Sequence, residues 1–184
     1  MRPTVYQGMY NCISRNIETE LIPACRRYGL DVVVYNPIAG GLLSGKLKSP
    51  DGVPDEGRFS DQANSGALYR KRYFRESTFR AIRTIEKAVG EAGLSMVEAA
   101  LRWVVHHSAL NIKGGNDGIL IGASSLAQLE SNLKDLEKGP LPESVLAAMD
   151  DAWLITKPEA SNYWHKELKY GYDTKEVLFG AGSK

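Results

Sequence analysis

The sequence predicts an α/β fold built on a parallel sheet, and three observations carry that expectation. Short β-branched or apolar runs alternate with helical stretches, with room for a helical crossover between strands. The run Val32-Val33-Val34 leads straight into a turn holding Pro37, Gly40, Gly41, Gly45 and Lys46. A glycine-rich turn with a lysine at the C-terminal end of a strand suits an anion, because backbone N–H groups can approach it closely. Only three strands are evident, and three parallel strands leave two unpaired edges. A closed barrel pairs every edge, but one of eight strands needs about 250 residues. The 184 residues are therefore expected to form the last three or so β/α units of an incomplete (β/α)8 barrel.

Each element has its own warrant. Val5 to Tyr10 reads as a strand opened by Pro3. Ile17 to Tyr28 reads as a helix, with Ile17, Leu21, Ile22 and Cys25 at helical spacing and Gly29 as its stop. Asp31 to Tyr35 is apolar almost throughout, as a strand covered on both faces should be. Lys46 to Gly66, with Pro50, Gly52, Pro54 and Gly57, is a long loop, the kind that is commonly functional or mobile. Helical pattern resumes from Glu76 to Ala92. Ser95 with Glu98 forms a capping box that opens a helix to about His107. Asn111 to Gly118 is a polar connection, and Gly118 to Gly122 a third short strand. Ser125 with Gln128 is a second capping-box pattern, opening a helix that stops by Gly139-Pro140. Glu143 to Trp153 is the last helix, and residues 165–184 are expected to be an irregular tail after a domain spanning 1–164.

Composition narrows the function classes. Hydrophobic residues make up 43% and charged residues 24%, the balance of an ordinary globular domain. A net charge of +1 offers no general attraction to nucleic acid or to an anionic membrane. No apolar run reaches the ~18 residues of a membrane span, and residues 1–12 lack the plan of a signal peptide. Cys12 and Cys25 make no disulfide framework, so the expected compartment is reducing and cytoplasmic. No Cys/His spacing suggests a metal site. His106 and His107 end a helix, where cations are favoured, and a capping role is their plain reading; His165 lies in the tail. Gly40 to Lys46 reads G-x-x-x-x-G-K, but Leu47 stands where a nucleoside-triphosphate loop needs Ser or Thr for Mg²⁺. That reading is set aside.

Four segments resemble one family. They are Val5-Tyr6-Gln7-Gly8-Met9-Tyr10-Asn11; Tyr35-Asn36-Pro37-Ile38-Ala39-Gly40-Gly41-Leu42-Leu43-Ser44-Gly45-Lys46; Gly57-Arg58-Phe59; and Ile121-Gly122-Ala123-Ser124-Ser125-Leu126-Ala127-Gln128-Leu129-Glu130-Ser131-Asn132-Leu133. In this order they resemble the C-terminal half of an aldo-keto reductase, in the branch acting on aflatoxin dialdehyde and succinic semialdehyde. The resemblance implies a (β/α)8 TIM barrel and NADPH-dependent reduction of carbonyls. It implies that Gln7 contacts the nicotinamide carboxamide, that Tyr35 stacks on the nicotinamide ring, and that Asn36 to Gly45 wraps the pyrophosphate through main-chain amides. Lys46 and Arg58 would neutralise phosphate charge. Ala123, Ser124, Ser125, Gln128, Ser131 and Asn132 would hold the 2′-phosphate at a helix start, where free amides and the dipole favour an anion. Ser125 can also be a plain N-cap in the same geometry.

The resemblance further places substrate contacts at Tyr69, Arg72, Tyr73 and Tyr163. Where the related branch ends an Asn-Tyr-aromatic run with arginine, this chain has Asn162-Tyr163-Trp164-His165. The family's Asp/Tyr/Lys/His tetrad has no matching positions here, so the chain alone is expected to be inactive, with a small carbonyl substrate engaged only when an N-terminal half completes it. Three readings stay open: the cofactor half of a reductase, a non-catalytic NADPH-binding regulatory module like the channel β-subunits, and a product that folds poorly. Unpaired strand edges also predict an oligomer.

Overall fold

The computed structural model describes residues 2–164 and 171–180. One parallel sheet runs in the order β1 (Val5–Met9), β2 (Asp31–Tyr35), β3 (Gly118–Ile119). Gln7 pairs with Val33 and Met9 with Tyr35 across the first ladder, and Val33 pairs with Gly118 across the second. Side-chain alternation then separates two faces. Val32 and Val34 point to the face that meets the main core and are fully buried. Val5 and Gln7 share the other face with Val33 and are exposed. The expectation that β2 is covered on both faces is corrected: one face is buried, and Val33 and Tyr35 are half-buried on the other. The third strand is also shorter than expected. Its ladder covers Gly118–Ile119, extended by a Leu120 N–H donated to the Val34 carbonyl at 2.7 Å.

Helix α1 (Leu21–Tyr28) starts four residues later than its apolar spacing predicts. Pro23 decides this. In a helix from Ile17 it would be interior, with no N–H to donate and a ring against the Thr19 carbonyl; from Leu21 it falls in the first turn, where proline is tolerated. Gly29 takes the left-handed conformation (φ 65°) as C-cap. Helix α2 (Gly66–Tyr73) occupies the end of the expected loop and the stretch that follows it. It shows no apolar stripe, and its warrant is tertiary: Tyr69 and Tyr73, four apart, are both buried against Phe59. Gly66 is required there, because a Cβ would sit 1.9 Å from the Ser60 carbonyl oxygen.

Helices α3 (Glu76–Glu91) and α6 (Glu143–Thr156) pack against each other along much of their length. Helix α6 runs three residues past its expected end at Trp153. The Thr156 hydroxyl donates to the Ile13 carbonyl at 3.1 Å, which docks that last turn on the segment after β1. Arg15, buried in the same segment, donates to Asp150 at 2.7 Å and to the Met149 carbonyl at 3.1 Å, and stacks over Trp103 at 4.5 Å. Helix α4 (Met96–His106) begins at Ser95, whose hydroxyl accepts the Glu98 N–H at 3.0 Å. The reciprocal half of the expected capping box is missing, since the Glu98 carboxylate pairs with Arg102 and Lys138 instead. Helix α5 (Leu126–Glu137) follows β3. The tail, expected to be irregular, contains a short helix α7 (Thr174–Phe179). No described helix is long and apolar enough to cross a membrane.

The two histidines at the end of α4 act differently from the cationic caps that sequence suggests. Both grip the strap joining α5 to α6: His106 Nε2 meets the Lys138 carbonyl at 2.6 Å, and His107 Nε2 accepts the Leu141 N–H at 2.8 Å. Arg102 adds bonds to the Gly139 and Pro140 carbonyls. His107 must therefore carry a lone pair on Nε2. Burial, with the nearby His106 and Arg102 charges, holds its pKa below the ordinary value, against a smaller opposing pull from Glu143 and Asp150. A histidine depressed in the folded state binds its proton more readily when unfolded. Stability should thus be intact above the unfolded pKa of about 6.5 and fall as pH drops below it, toward the depressed folded value. Urea midpoints at pH 7.5 and 5.5 should show this decline, and His107→Gln should make it shallower. Parallel pH profiles for the two proteins would refute the assignment.

Candidate functional site

The C-terminal ends of β2 and β3 open into a cleft of about 880 Å³. Its walls are the turn after β2, Lys46, the loop around Glu56 and Arg58, Tyr69, the start of α4, residues 120–124, and one face of α5 from Gln128 to Asp135. The turn departs sharply from ordinary backbone. Asn36 (φ 59°), Ala39 (51°), Gly40 (70°), Gly41 (101°) and Gly45 (72°) are all left-handed. Asparagine tolerates this region; alanine does so at some cost, and Ala39 is held there by complete burial. Residues Ala39–Ser44 form two short 3-10 turns joined at a kink, where Gly40 and Gly41 leave helical backbone.

The turn divides its residues between anchoring and lining. Ala39, Leu42 and Leu43 are buried in the core and do not wall the cleft, whereas Asn36, Pro37, Ile38, Gly40, Gly41 and Ser44 do. Four of its amides are already committed. Ala39 N–H donates to Asn36, Gly41 and Leu43 both donate to Ile38, and Gly45 donates to Leu42. These donors serve the turn itself, so an anion seated here would draw on the remaining amides and on side chains. Gly45 and Ser125 are likewise outside the cleft walls.

Tyr35 supplies the flat aromatic face at the end of β2 and lines the cleft. Asn36 accepts the Tyr69 hydroxyl on Oδ1 at 3.0 Å, while its Nδ2 is shut from solvent with no acceptor. Asn11, fully buried, donates to the Asn36 carbonyl at 3.0 Å and to the Tyr73 hydroxyl at 3.3 Å. It ties the end of β1 to the turn after β2 and to α2. Asn11 closes the first of the family-like segments, and only its contacts show a role for it. Gly40 lies flat against Tyr69, and a Cβ there would come within 2.5 Å of the ring.

At the start of α5 the Ser125 hydroxyl accepts the Gln128 N–H at 3.2 Å. The Gln128 side chain returns one residue further out than a capping box requires: its Oε1 accepts from both the N–H and the hydroxyl of Ser124 (3.0 and 2.9 Å). An anion seated at this helix start would have to take Ser124 from Gln128. Ala123, Ser124, Gln128, Ser131 and Asn132 all line the cleft, in company with Asp135.

The structure does not bring together all the residues that sequence nominated. Gln7 is exposed on the open face of β1, outside the cleft walls. Of the four substrate candidates only Tyr69 lines the cleft. Arg72 and Tyr73 border a separate hollow of about 10 Å³ with Ser14 and Thr78. Tyr163 donates to Glu20 at 2.9 Å and packs edge-on against Trp164. His165 lies outside the described residues. Burial pushes the Tyr10 phenol far above its ordinary pKa, and it is committed to Glu18 and the Ala109 N–H. Burial also pushes the Cys12 thiol up to about 12, so neither is a reactive group. What the cleft offers is an aromatic face, an orphan amide donor, two cations and a helix start: the fittings for an extended, anionic, partly aromatic ligand.

Comparison with known proteins agrees with this architecture. The model of the Aldo/keto reductase family matches residues 1–154. Aflatoxin B1 aldehyde reductase member 2 of Rattus norvegicus is 47% identical over 168 residues, covering 88% of this chain and 45% of the relative. Aldo-keto reductase family 7 member A3 of Homo sapiens is 47% identical over 169 residues, covering 88% and 50%. An aldo-keto reductase of Pseudocercospora fijiensis is 42% identical over 163 residues, covering 89% and 55%. The chain thus spans about half the length of the curated relatives it matches.

Proposed function

The chain belongs to the aldo/keto reductase family, and from that premise we propose that its cleft is the nicotinamide-nucleotide site of an NADPH-dependent reductase of aldehydes and ketones. The observation that carries the reading is the cleft at the ends of β2 and β3, where Tyr35, Asn36, Gly41, Arg58 and the start of α5 face one space. The residues fit the group. A Cβ on Gly41 would meet nothing within 4 Å, so the backbone there stands open to a ligand. The buried Asn36 Nδ2 needs an acceptor that a carboxamide or phosphate oxygen supplies. Lys46 and Arg58 match phosphate charge. Bound NADPH would supply a hydride to a carbonyl carbon. The chain's own residues would stack the ring, neutralise the phosphates and keep the turn after β2 rigid.

A second reading, a non-catalytic NADPH-binding module, draws support from the side chains. The phenol of Tyr10, strongly perturbed by burial, is committed to Glu18 and the Ala109 N–H and lines no part of the cleft. Calorimetric titration tests the shared premise. Charge-assisted contacts of ~1.5–3 kcal/mol to a 2′-phosphate predict NADPH binding at least about tenfold tighter than NADH. Equal affinities would refute the nucleotide assignment. Oxidation of NADPH by 4-nitrobenzaldehyde, followed at 340 nm, separates the two readings: turnover on the order of 1 s⁻¹ belongs to the reductase, and binding without turnover to the module.

A further inference from the structure

We propose that Tyr69 is a positioning residue that sets nucleotide specificity. It holds the Arg58 guanidinium in the cleft, ready for the ribose phosphate that distinguishes NADPH from NADH. The inference rests on the nucleotide reading above. Family resemblance groups Tyr69 with substrate contacts; its hydrogen bonds join it to Asn36 and Arg58 in the cleft.

Arg58 is exposed, and no carboxylate forms an ion pair with it among the described residues. A long unpaired side chain samples many rotamers, and fixing one upon binding weakens affinity. Tyr69 removes much of that freedom beforehand. Its hydroxyl accepts from Arg58 Nη1 at 3.4 Å, and the guanidinium carbon lies 5.4 Å from the ring centroid.

Tyr69 can do this because it is itself fixed. It is buried, its hydroxyl donates to Asn36 Oδ1, and its ring fills the space that Gly40 leaves. Phe59 packs edge-on against it with centroids 5.8 Å apart. The segment just after Arg58 is anchored too: Arg70 donates to the Phe59 carbonyl and pairs with Asp61 at 2.5 Å, while Phe59 stacks on Phe74. The side chain of Arg58 and the residues that follow it are thus both held from α2 and its C-terminal end. One hydroxyl also engages Arg58 and Asn36 together, so its loss would release the guanidinium and let the Asn36 amide turn.

The test is calorimetric titration of NADPH and NADH against the wild type, Tyr69→Phe, Arg58→Ala and the double variant. Tyr69→Phe keeps the ring and removes the hydroxyl. It should lower the NADPH-to-NADH affinity ratio about fivefold. Arg58→Ala should lower the ratio at least as far. In that background Tyr69→Phe should change the ratio by less than about twofold, since no guanidinium is left to hold. General loss of structure would lower both affinities together and leave the ratio standing, and urea midpoints report it separately. An unchanged ratio in Tyr69→Phe would overturn the proposal, as would an equal fivefold drop with and without Arg58. A wild type that does not prefer NADPH would instead overturn the nucleotide reading beneath it.

Discussion

Gly40→Ala is expected to weaken NADPH binding by at least about tenfold and to cost about 2–3 kcal/mol of stability. Two penalties coincide at this residue. Its φ of 70° is left-handed, which costs an L-residue with a Cβ roughly 1–2 kcal/mol. The new methyl would also stand 2.5 Å from Cε1 and 2.7 Å from Cδ1 of Tyr69. That ring has little room to retreat, because Phe59 and Tyr73 pack around it. Either the turn after β2 lifts or Tyr69 swings out, and both movements disturb the Asn36 and Arg58 contacts in the cleft. Calorimetry on the purified variant checks the affinity and urea denaturation the stability. A variant that binds NADPH within twofold of the wild type would contradict the close packing of Gly40 on Tyr69.

Asp117→Asn is expected to cost about 3 kcal/mol, the low end for breaking a buried ion pair because Arg26 is partly solvated. The Asp117 side chain is 1% exposed, that of Arg26 37%. Asp117 accepts from both guanidinium nitrogens of Arg26, from the Val32 N–H at 2.7 Å and from the Asn111 N–H at 2.6 Å. One carboxylate thus joins the end of α1, the start of β2 and the loop before β3. Burial pushes its pKa up, but Arg26 and the two backbone donors outweigh burial and hold it below the ordinary value. A depressed carboxyl contributes stability above its unfolded pKa of about 3.9 and loses it as pH falls toward the folded value. The variant should therefore start less stable at pH 7 and lose less on acidification below pH 4. Urea midpoints across that range decide it; an unaltered midpoint at pH 7 would remove Asp117 from its place as the clasp.

The strand-to-turn sequence Val32 to Lys46 located the cleft by itself, because β-branched residues favour a strand and glycines mark the backbone that must turn left-handed. Helices α3, α4 and α6 were likewise legible in apolar periodicity, and Ser95 and Ser125 in their capping chemistry, each to within a few residues. Those are local properties, decided by a residue and its near neighbours. Tertiary contact decided the rest. Helix α2 carries too many charges to show an apolar stripe and exists through the aromatic packing of Tyr69 and Tyr73 on Phe59. The roles of Asn11, Arg15 and Asp117 were silent, since each is tied to a partner 25 to 135 positions away. His107 reads as a cationic cap until the Leu141 N–H reaches it. The commitment of alternate turn amides within the turn itself, and the bond between Tyr69 and Arg58, exist only in three dimensions. A sequence determines which backbone can turn and which surfaces must be buried; which donor is left over for a ligand depends on what every other acceptor has already taken.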